Sequence, residues 1–365
     1  MRVAIDNQIF LNQKFGGISR SFCSLNEKLN TLPFIDSKII APIHINKHLL
    51  SSGKKLSNNL YFPYKFRISK LPTFFDSVSN QLARIEIGKF KPNLIHETFY
   101  NVDDPWPATI ARVTTIQDLI REKIEISKER MRAKDISLRR AQRIICISQN
   151  TKIDLIETFR IDPAIIDVVY LGVDSEFFAR EINFTKSNNL LYVGQRNGYK
   201  NFNSFITAYA NSKFLRENFQ VVAFGGGKFS KNELRFFLDL KISRSQLINI
   251  QGSDIKLFEL YSNTAALIYP SKYEGFGLPI VEAMAAGAMV FCSDTSSMPE
   301  AGGKTAFYFD PNSIESIMEV LESKLSANLD LRKILQDGQN HARHFDWSVA
   351  AIETLKTYKK VFADV

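Results

Sequence analysis

With 365 residues the chain exceeds the roughly 250–300 at which a single hydrophobic core stops growing, so two domains are expected. It is 45% hydrophobic and 23% charged, no apolar run approaches the about 18 residues of a membrane span, and Met1-Arg2-Val3-Ala4-Ile5-Asp6 enters a strand pattern without a signal-peptide core, which implies a soluble cytoplasmic protein. The net charge of +9 belongs to the first half: residues 1–172 hold 26 Lys+Arg against 17 Asp+Glu (26 − 17 = +9), and the rest hold 21 against 21 (47 − 26 and 38 − 17), so the basic half suits nucleic acid, an anionic membrane or an anionic substrate.

Val3-Ala4-Ile5 opens a first strand, and Gly16-Gly17 precedes Ile18–Leu29, which has apolar residues at 18, 22, 25 and 29. This is a strand, a glycine loop and an amphipathic helix. A glycine pair at a helix start lets backbone N–H groups approach a phosphate, although such pairs also serve only to turn the chain. Between Lys38 and Phe75, basic residues (Lys47, Lys54, Lys55, Lys65, Arg67, Lys70) alternate with Leu60, Tyr61, Phe62, Tyr64 and Phe66. That mixture suits a membrane interface or stacked bases equally with a solvated insertion, and no nucleic-acid motif accompanies it.

Asn93–His96 reads as a strand ending at His96-Glu97-Thr98, and Arg112–Ile116 as another ending at Gln117-Asp118-Leu119. Polar groups at the carboxyl ends of strands mark the crevice side of an open α/β sheet. Residues 121–143 carry nine Lys+Arg against four Asp+Glu on an expected helix, a candidate membrane-facing surface or simply a solvated face. The strand Arg143–Ile147 follows, then the helix start at Ser148, a last strand over Asp167–Tyr170, and a linker expected over 173–186. Cys23, Cys146 and Cys292 stand apart in apolar surroundings without metal-ligand spacing, as reduced core residues do.

The second half restarts at Leu190-Leu191-Tyr192-Val193-Gly194. Arg196 and Lys200 follow that strand and bring two cations towards a helix start, an arrangement suited to a pyrophosphate. Gln220–Phe224 delivers Gly225-Gly226-Gly227, and Ile248–Gln251 ends at Gly252-Ser253-Asp254. Ala265–Tyr269 is a buried-type strand broken by Pro270 and by glycines 275 and 277, and Leu278–Ala286 resumes as a helix with Pro279 in its first turn, where a missing N–H costs nothing. Glu274 on the loop and Glu282 in the helix place two carboxylates beside a helix N-terminus, where they suit sugar hydroxyls or serve as a cap and a solvated side chain. Met289–Cys292 makes a further strand, and a C-terminal helix is expected within 345–365.

Several of these segments resemble the retaining glycosyltransferases of family 4. Pro270-Ser271, Glu274-Gly275-Phe276-Gly277-Leu278-Pro279, Glu282-Ala283-Met284-Ala285 and Gly287 reproduce the E-x7-E signature of that family. The resemblance covers most of the chain and is densest over residues 190–303. It implies the GT-B fold: two Rossmann-like, doubly wound α/β domains facing a cleft, an acceptor domain over 1–172 and a nucleotide-sugar domain over 187–344, with a terminal helix crossing back to the first domain. The implied activity is sugar transfer from a nucleotide donor to a hydroxyl of a lipid-linked or saccharide acceptor. The Gly-Gly-Ile-Ser-Arg start and Arg196–Phe202 look most like bacterial O-antigen and capsule enzymes, many of which use GDP-mannose, so GDP-mannose is the donor expected ahead of UDP-sugars.

The resemblance also distributes roles. Gly17, Gly225 and Gly226 would bring backbone to the donor, and Gln251 lies near where the family seats the base. Arg196 and Lys200 would hold the diphosphate, Glu274 the sugar, and Glu282 the ribose. Tyr273, Gly275, Phe276, Gly277 and Leu278 would form the rest of the donor loop. Asp118 is a candidate catalytic residue and His96 a candidate contact to the acceptor. Gln117 stands where the family usually has His, and it cannot titrate. No metal or other cofactor is expected, since there is no Asp-x-Asp and the two cations supply the charge. The basic first half is a candidate for an anionic membrane surface at the inner face of the cytoplasmic membrane. Two other readings stay open: an epimerase or phosphorylase on the same fold, and a catalytically silent nucleotide-sugar-binding protein, suggested by Gln117.

Overall fold

The computed structural model describes residues 1–51, 60–62, 72–102, 104–124, 127–178 and 181–363; the basic and aromatic stretch from Lys54 to Lys70 lies mostly outside them. The chain divides into two compact units, Met1–Gly172 with Trp347–Val365, and Val173–Asp346.

The first unit is built on six parallel strands: β1 (Arg2–Ile5), β2 (Asp36–Ile39), β3 (Leu94–Glu97), β4 (Ala111–Ile116), β5 (Arg143–Cys146) and β6 (Ile166–Val168), in the order β2-β1-β3-β4-β5-β6. Side chains alternate across a strand, so β1 serves two cores at once. Val3 and Ile5 join Phe22, Leu25 and Leu29 of helix α1 (Gly17–Leu29) on one face, whereas Ala4 meets Ala83, Ile87 and Trp106 on the other. The basic segment supplies α2 (Lys128–Arg140).

In the second unit the strands are β7 (Asn189–Val193), β8 (Gln220–Phe224), β9 (Leu247–Ile250), β10 (Ala266–Tyr269), β11 (Met289–Ser293) and β12 (Phe307–Phe309), ordered β9-β8-β7-β10-β11-β12. All pair in parallel. Helices α3 (Lys231–Asp239) and α4 (Leu278–Ala285) flank this sheet, whose core is rich in aromatics, among them Tyr192, Phe202, Phe205, Phe237 and Phe291. In a doubly wound sheet the order reverses where chain connections leave in opposite directions, and ligands bind outside the carboxyl ends of the strands at that point. Here it lies between β7 and β10, which pair Leu190 with Ala266 and Leu191 with Leu267. The segments leaving those two strands carry Arg196 and Lys200 on one side and Glu274 on the other.

Two boundaries differ from expectation. Residues 173–178 are not free linker: Val173 bridges Asp346, and buried Phe177 packs edge-on against Phe258 at 4.9 Å. Phe345 and Asp346 also belong to the second unit, and helix α5 (Trp347–Ala363) joins the first, burying Trp347, Ala351 and Tyr358 beside α1 and β1. Gly172 explains how the chain enters there, because a Cβ on it would come within 2.4 Å of the Trp347 backbone nitrogen.

Candidate functional site

The second unit brings most of the expected donor residues to the switch point. Lys200 ends a short 3-10 turn over Gly198–Lys200, and its Nζ donates to Glu274 Oε1 at 2.7 Å and to the Tyr269 hydroxyl at 3.3 Å. Glu274 is only 7% exposed. Its loop is fixed independently of its side chain, since Ser296 Oγ and Ser297 Oγ both donate to its carbonyl, at 2.7 and 2.8 Å. Burial, and after it the neighbouring Glu274, holds the Tyr269 phenol well above its ordinary pKa, so it stays a neutral partner. The result is a rigid cation and carboxylate at the ends of adjacent strands.

Gly277 starts α4 with φ of 102°, a left-handed value that favours glycine, and Pro279 falls in the first turn as expected. Tyr273 and Phe276 are buried, Phe276 against Phe345 at 5.3 Å, so they support the loop rather than line a surface. Glu282 is 4% exposed and accepts from Tyr261 Oη at 3.3 Å.

Arg196 occupies a position that its sequence did not suggest. Its guanidinium sends Nε to Glu233 Oε1 (2.6 Å), Nη1 to the Gly225 carbonyl (2.7 Å) and Nη2 to the carbonyls of Gly226, Gly227 and Lys228 (3.2–3.3 Å). Gln251 Nε2 also donates to the Gly225 and Gly227 carbonyls, at 3.0 and 3.1 Å. The cation expected to hold the diphosphate beside Lys200 is thus interior, with its side chain 4% exposed.

In the first unit the candidates do not converge in the same way. Gly17 begins α1 with open space where a Cβ would stand, while Gln13 Oε1 accepts the Ser19 N–H at 3.2 Å and so occupies part of that helix end. Gln117 follows β4 and lines an open hollow of about 330 Å³, solvent included, with Ser21, Phe22, Ile147 and Trp347. Asp118 lies two residues before the short helix Ile120–Lys123 and accepts from Ile120 N at 3.1 Å. His96 does not reach a surface. It is fully buried, Nδ1 lies 2.7 Å from the Tyr358 hydroxyl and Nε2 2.7 Å from Thr115 Oγ1, and burial lowers its pKa to about 3. A neutral imidazole bonded on both nitrogens ties α5 to the sheet, which corrects the expectation of an acceptor contact.

Helix α2 is likewise less of a solvated face than its charge suggests. Lys134 is buried, donating to Glu122 at 2.9 Å and to the Asp118 carbonyl at 2.8 Å, and Arg140 pairs with Glu97 at 2.9 Å. Lys128, Arg130, Arg132 and Arg139 remain exposed.

Sequence reasoning missed Glu233, Tyr269, Ser296, Ser297 and Lys134. Tyr269 was findable as the polar last residue of a buried strand and the Ser296-Ser297 pair as polar residues shortly after another; Glu233 is legible as a helix-capping residue three places after Ser230, but nothing local pairs it with Arg196, 37 positions away. Among the described residues no group of three His, Cys, Asp or Glu side chains converges as a metal site would.

Two family models match the chain, "Glycosyl transferases group 1" over residues 174–341 and "Glycosyltransferase Family 4" over residues 49–177. It is similar to the O-antigen chain mannosyltransferase B of Escherichia coli, 26% identical over 61% of this chain and 62% of that one. It is also similar to the O-antigen chain mannosyltransferase RfbU of Salmonella typhimurium, 29% identical over 52% of each. The chain therefore spans between half and two thirds of the length of these relatives. Among solved structures, a sucrose-phosphate synthase from Thermosynechococcus elongatus superimposes with a TM-score of 0.75 over the full length of both chains at 16% identity, a likeness of fold.

Proposed function

As a member of the family 4 glycosyltransferases with the GT-B fold, this chain, we propose, transfers mannose from GDP-mannose to a hydroxyl of a lipid-linked or saccharide acceptor in surface-polysaccharide synthesis. The mannosyltransferase names of its relatives support the sugar. The observation that carries the chemistry is the Lys200–Glu274 pair at 2.7 Å, at the switch point between β7 and β10.

Charge develops most on the departing diphosphate, and a fixed cation stabilises it best when no rearrangement is needed at the moment of reaction. Lys200 supplies that cation. Glu274, oriented by Lys200 and by the serine-held loop, accepts hydrogen bonds from the mannose hydroxyls, and Glu282 those of the ribose. We propose transfer with retention: the anomeric C1–O bond to phosphate breaks, the acceptor oxygen bonds C1 on the same face, and the acceptor proton passes to the departing phosphate oxygen. GDP and an α-mannoside result. No protein base is needed in this scheme, so Gln117 is compatible with turnover. No helix among the described residues is long and apolar enough to cross a membrane; the exposed cations of α2 would hold the protein to an anionic bilayer surface instead.

The test is nucleotide release from GDP-, UDP- and dTDP-sugars, with and without a lipid extract of the producing cell, by wild type and Glu274→Ala. Release from GDP-mannose that rises with extract and disappears in the variant is expected, with an α-linkage in the product by NMR. Conversion of the nucleotide-sugar to its epimer without net nucleotide release would favour an epimerase, phosphate-dependent cleavage of a glycoside to a sugar 1-phosphate a phosphorylase, and binding without release a silent protein.

A further inference from the structure

The Gly225–Lys228 turn is built around the Arg196 guanidinium. Gly225, Gly226 and Gly227 have φ of 87°, 66° and 76°, three successive left-handed residues. Such a run is strained for any residue with a Cβ, and at Gly226 a Cβ would also lie 2.7 Å from Arg196 Nη1 and 3.0 Å from the Gly194 carbonyl oxygen. Four consecutive carbonyls, from Gly225 to Lys228, turn inward to the same cation. In a trans peptide the N–H of the next residue points opposite to the carbonyl, so the N–H groups of Gly226, Gly227 and Lys228 are turned to the other side. Gly227 and Lys228 are exposed there.

Glu233 completes the assembly. Its Oε1 takes Arg196 Nε at 2.6 Å and its Oε2 takes the Ser230 N–H at 2.7 Å, closing the capping box that starts α3. Phe229 covers the guanidinium, with its ring centre 4.8 Å away. A planar cation with five hydrogen bonds, a ring on one face and 4% side-chain exposure cannot reach a diphosphate without dismantling the turn. Lys200, 17% exposed on its side chain, stands outside this assembly.

We infer that Arg196 and Glu233 form a clamp that shapes the Gly225–Lys228 turn for the donor nucleotide. Arg196 is then a positioning residue acting through backbone, Glu233 is its anchor, and Lys200 is the cation that meets the diphosphate. This deepens the transferase reading above and rests on it for the identity of the ligand, but the clamp itself does not depend on that reading.

Glu233→Gln isolates the charge, because Gln at the third position of a helix preserves a capping box. Arg196→Lys keeps a cation but replaces a five-donor fork by a point charge that cannot hold four carbonyls and a carboxylate together. Hydrogen–deuterium exchange without nucleotide is expected to quicken about tenfold or more in both variants at the two bonded amides that flank the turn, Gly225, which donates to the Ile250 carbonyl, and Ser230, which donates to Glu233, as for the loss of a charge-assisted bond. Unchanged exchange would overturn the clamp. Calorimetric titration with GDP and with UDP should then show Glu233→Gln binding about tenfold more weakly and Arg196→Lys no better than Arg196→Ala. Tighter binding by Glu233→Gln, or wild-type binding by Arg196→Lys, would mean that Arg196 meets the diphosphate directly and would overturn the inference. Wild-type protein that binds neither nucleotide would remove the transferase reading and leave the exchange result to decide the clamp.

Discussion

Lys200 and Glu274 are both largely buried, with side chains 17% and 10% exposed, and their bond is 2.7 Å long. The two ways of breaking it should therefore differ. Glu274→Gln leaves Lys200 with a neutral acceptor of the same shape and with Tyr269. The bond keeps its ionised donor but loses the attraction between opposite charges, a loss of roughly 1–1.5 kcal/mol for a cation still 17% exposed. Lys200→Met strands a carboxylate in the interior, which costs about 3–5 kcal/mol. For a unit of 174 residues (346 − 173 + 1), each kcal/mol moves Tm by about 2–4 °C, so Glu274→Gln should lower the second unit's melting by about 2–6 °C and Lys200→Met by about 6–20 °C. The double variant contains no unpaired charge and should melt above Lys200→Met alone. Differential scanning calorimetry of the four proteins closes the cycle. Sugar transfer should fall about 10²- to 10³-fold in Glu274→Gln, the scale for losing one transition-state contact. Additive melting shifts, with the double variant the least stable of all, would show that the pair is not coupled and would remove the argument for a preset cation.

The first unit should show a stability optimum in weakly acidic solution. Burial raises Glu97 from an ordinary 4.5 to about 8, against the opposing pull of Arg140 and Arg112, and raises Asp6 to about 6. The unfolded chain releases these protons first, so the stability they contribute below pH 4 to 4.5 is lost as pH rises towards 8. His96 acts in the opposite sense: held neutral down to about 3, it contributes stability above pH 6.5 that is lost on acidification. Melting curves of Glu97→Gln should flatten between pH 6 and 8, and a profile parallel to wild type would refute the assignment. Gly172→Ala should destabilise the first unit by about 1–3 kcal/mol, because its Cβ would overlap the Trp347 backbone; hydrogen exchange that stays slow across Trp347–Ala363 would contradict this.

What the sequence revealed and what it hid follow one physical rule. The strands were legible because a parallel sheet buries both faces, leaving continuous apolar runs such as Leu190–Val193 and Ala266–Tyr269 whose ends mark the site. Glu274 was legible because Pro270, Gly275 and Gly277 punctuate its loop. Its partner was legible only as a cation near a strand end, and the 2.7 Å bond required the sheet to bring β7 beside β10. His96 misled because a polar residue at a strand's carboxyl end has the same local pattern whether it faces solvent or a distant element; Tyr358 reaches it from 262 positions away.

Arg196 extends the same point into chemistry. A lone arginine after a strand reads as an exposed cation, since nothing nearby in the chain neutralises it. Its counterion, Glu233, follows the next strand, and its other partners are carbonyls, which every residue has and no sequence displays. Backbone acceptors become a binding feature only where glycine lets several of them turn the same way, as φ of 87°, 66° and 76° do at residues 225–227. A glycine triplet after a buried strand can therefore mean an anion site, reading its N–H groups, or a cation socket, reading its carbonyls. The peptide plane makes these two faces of one turn, so the residue that fills the socket also sets the direction in which the donors point.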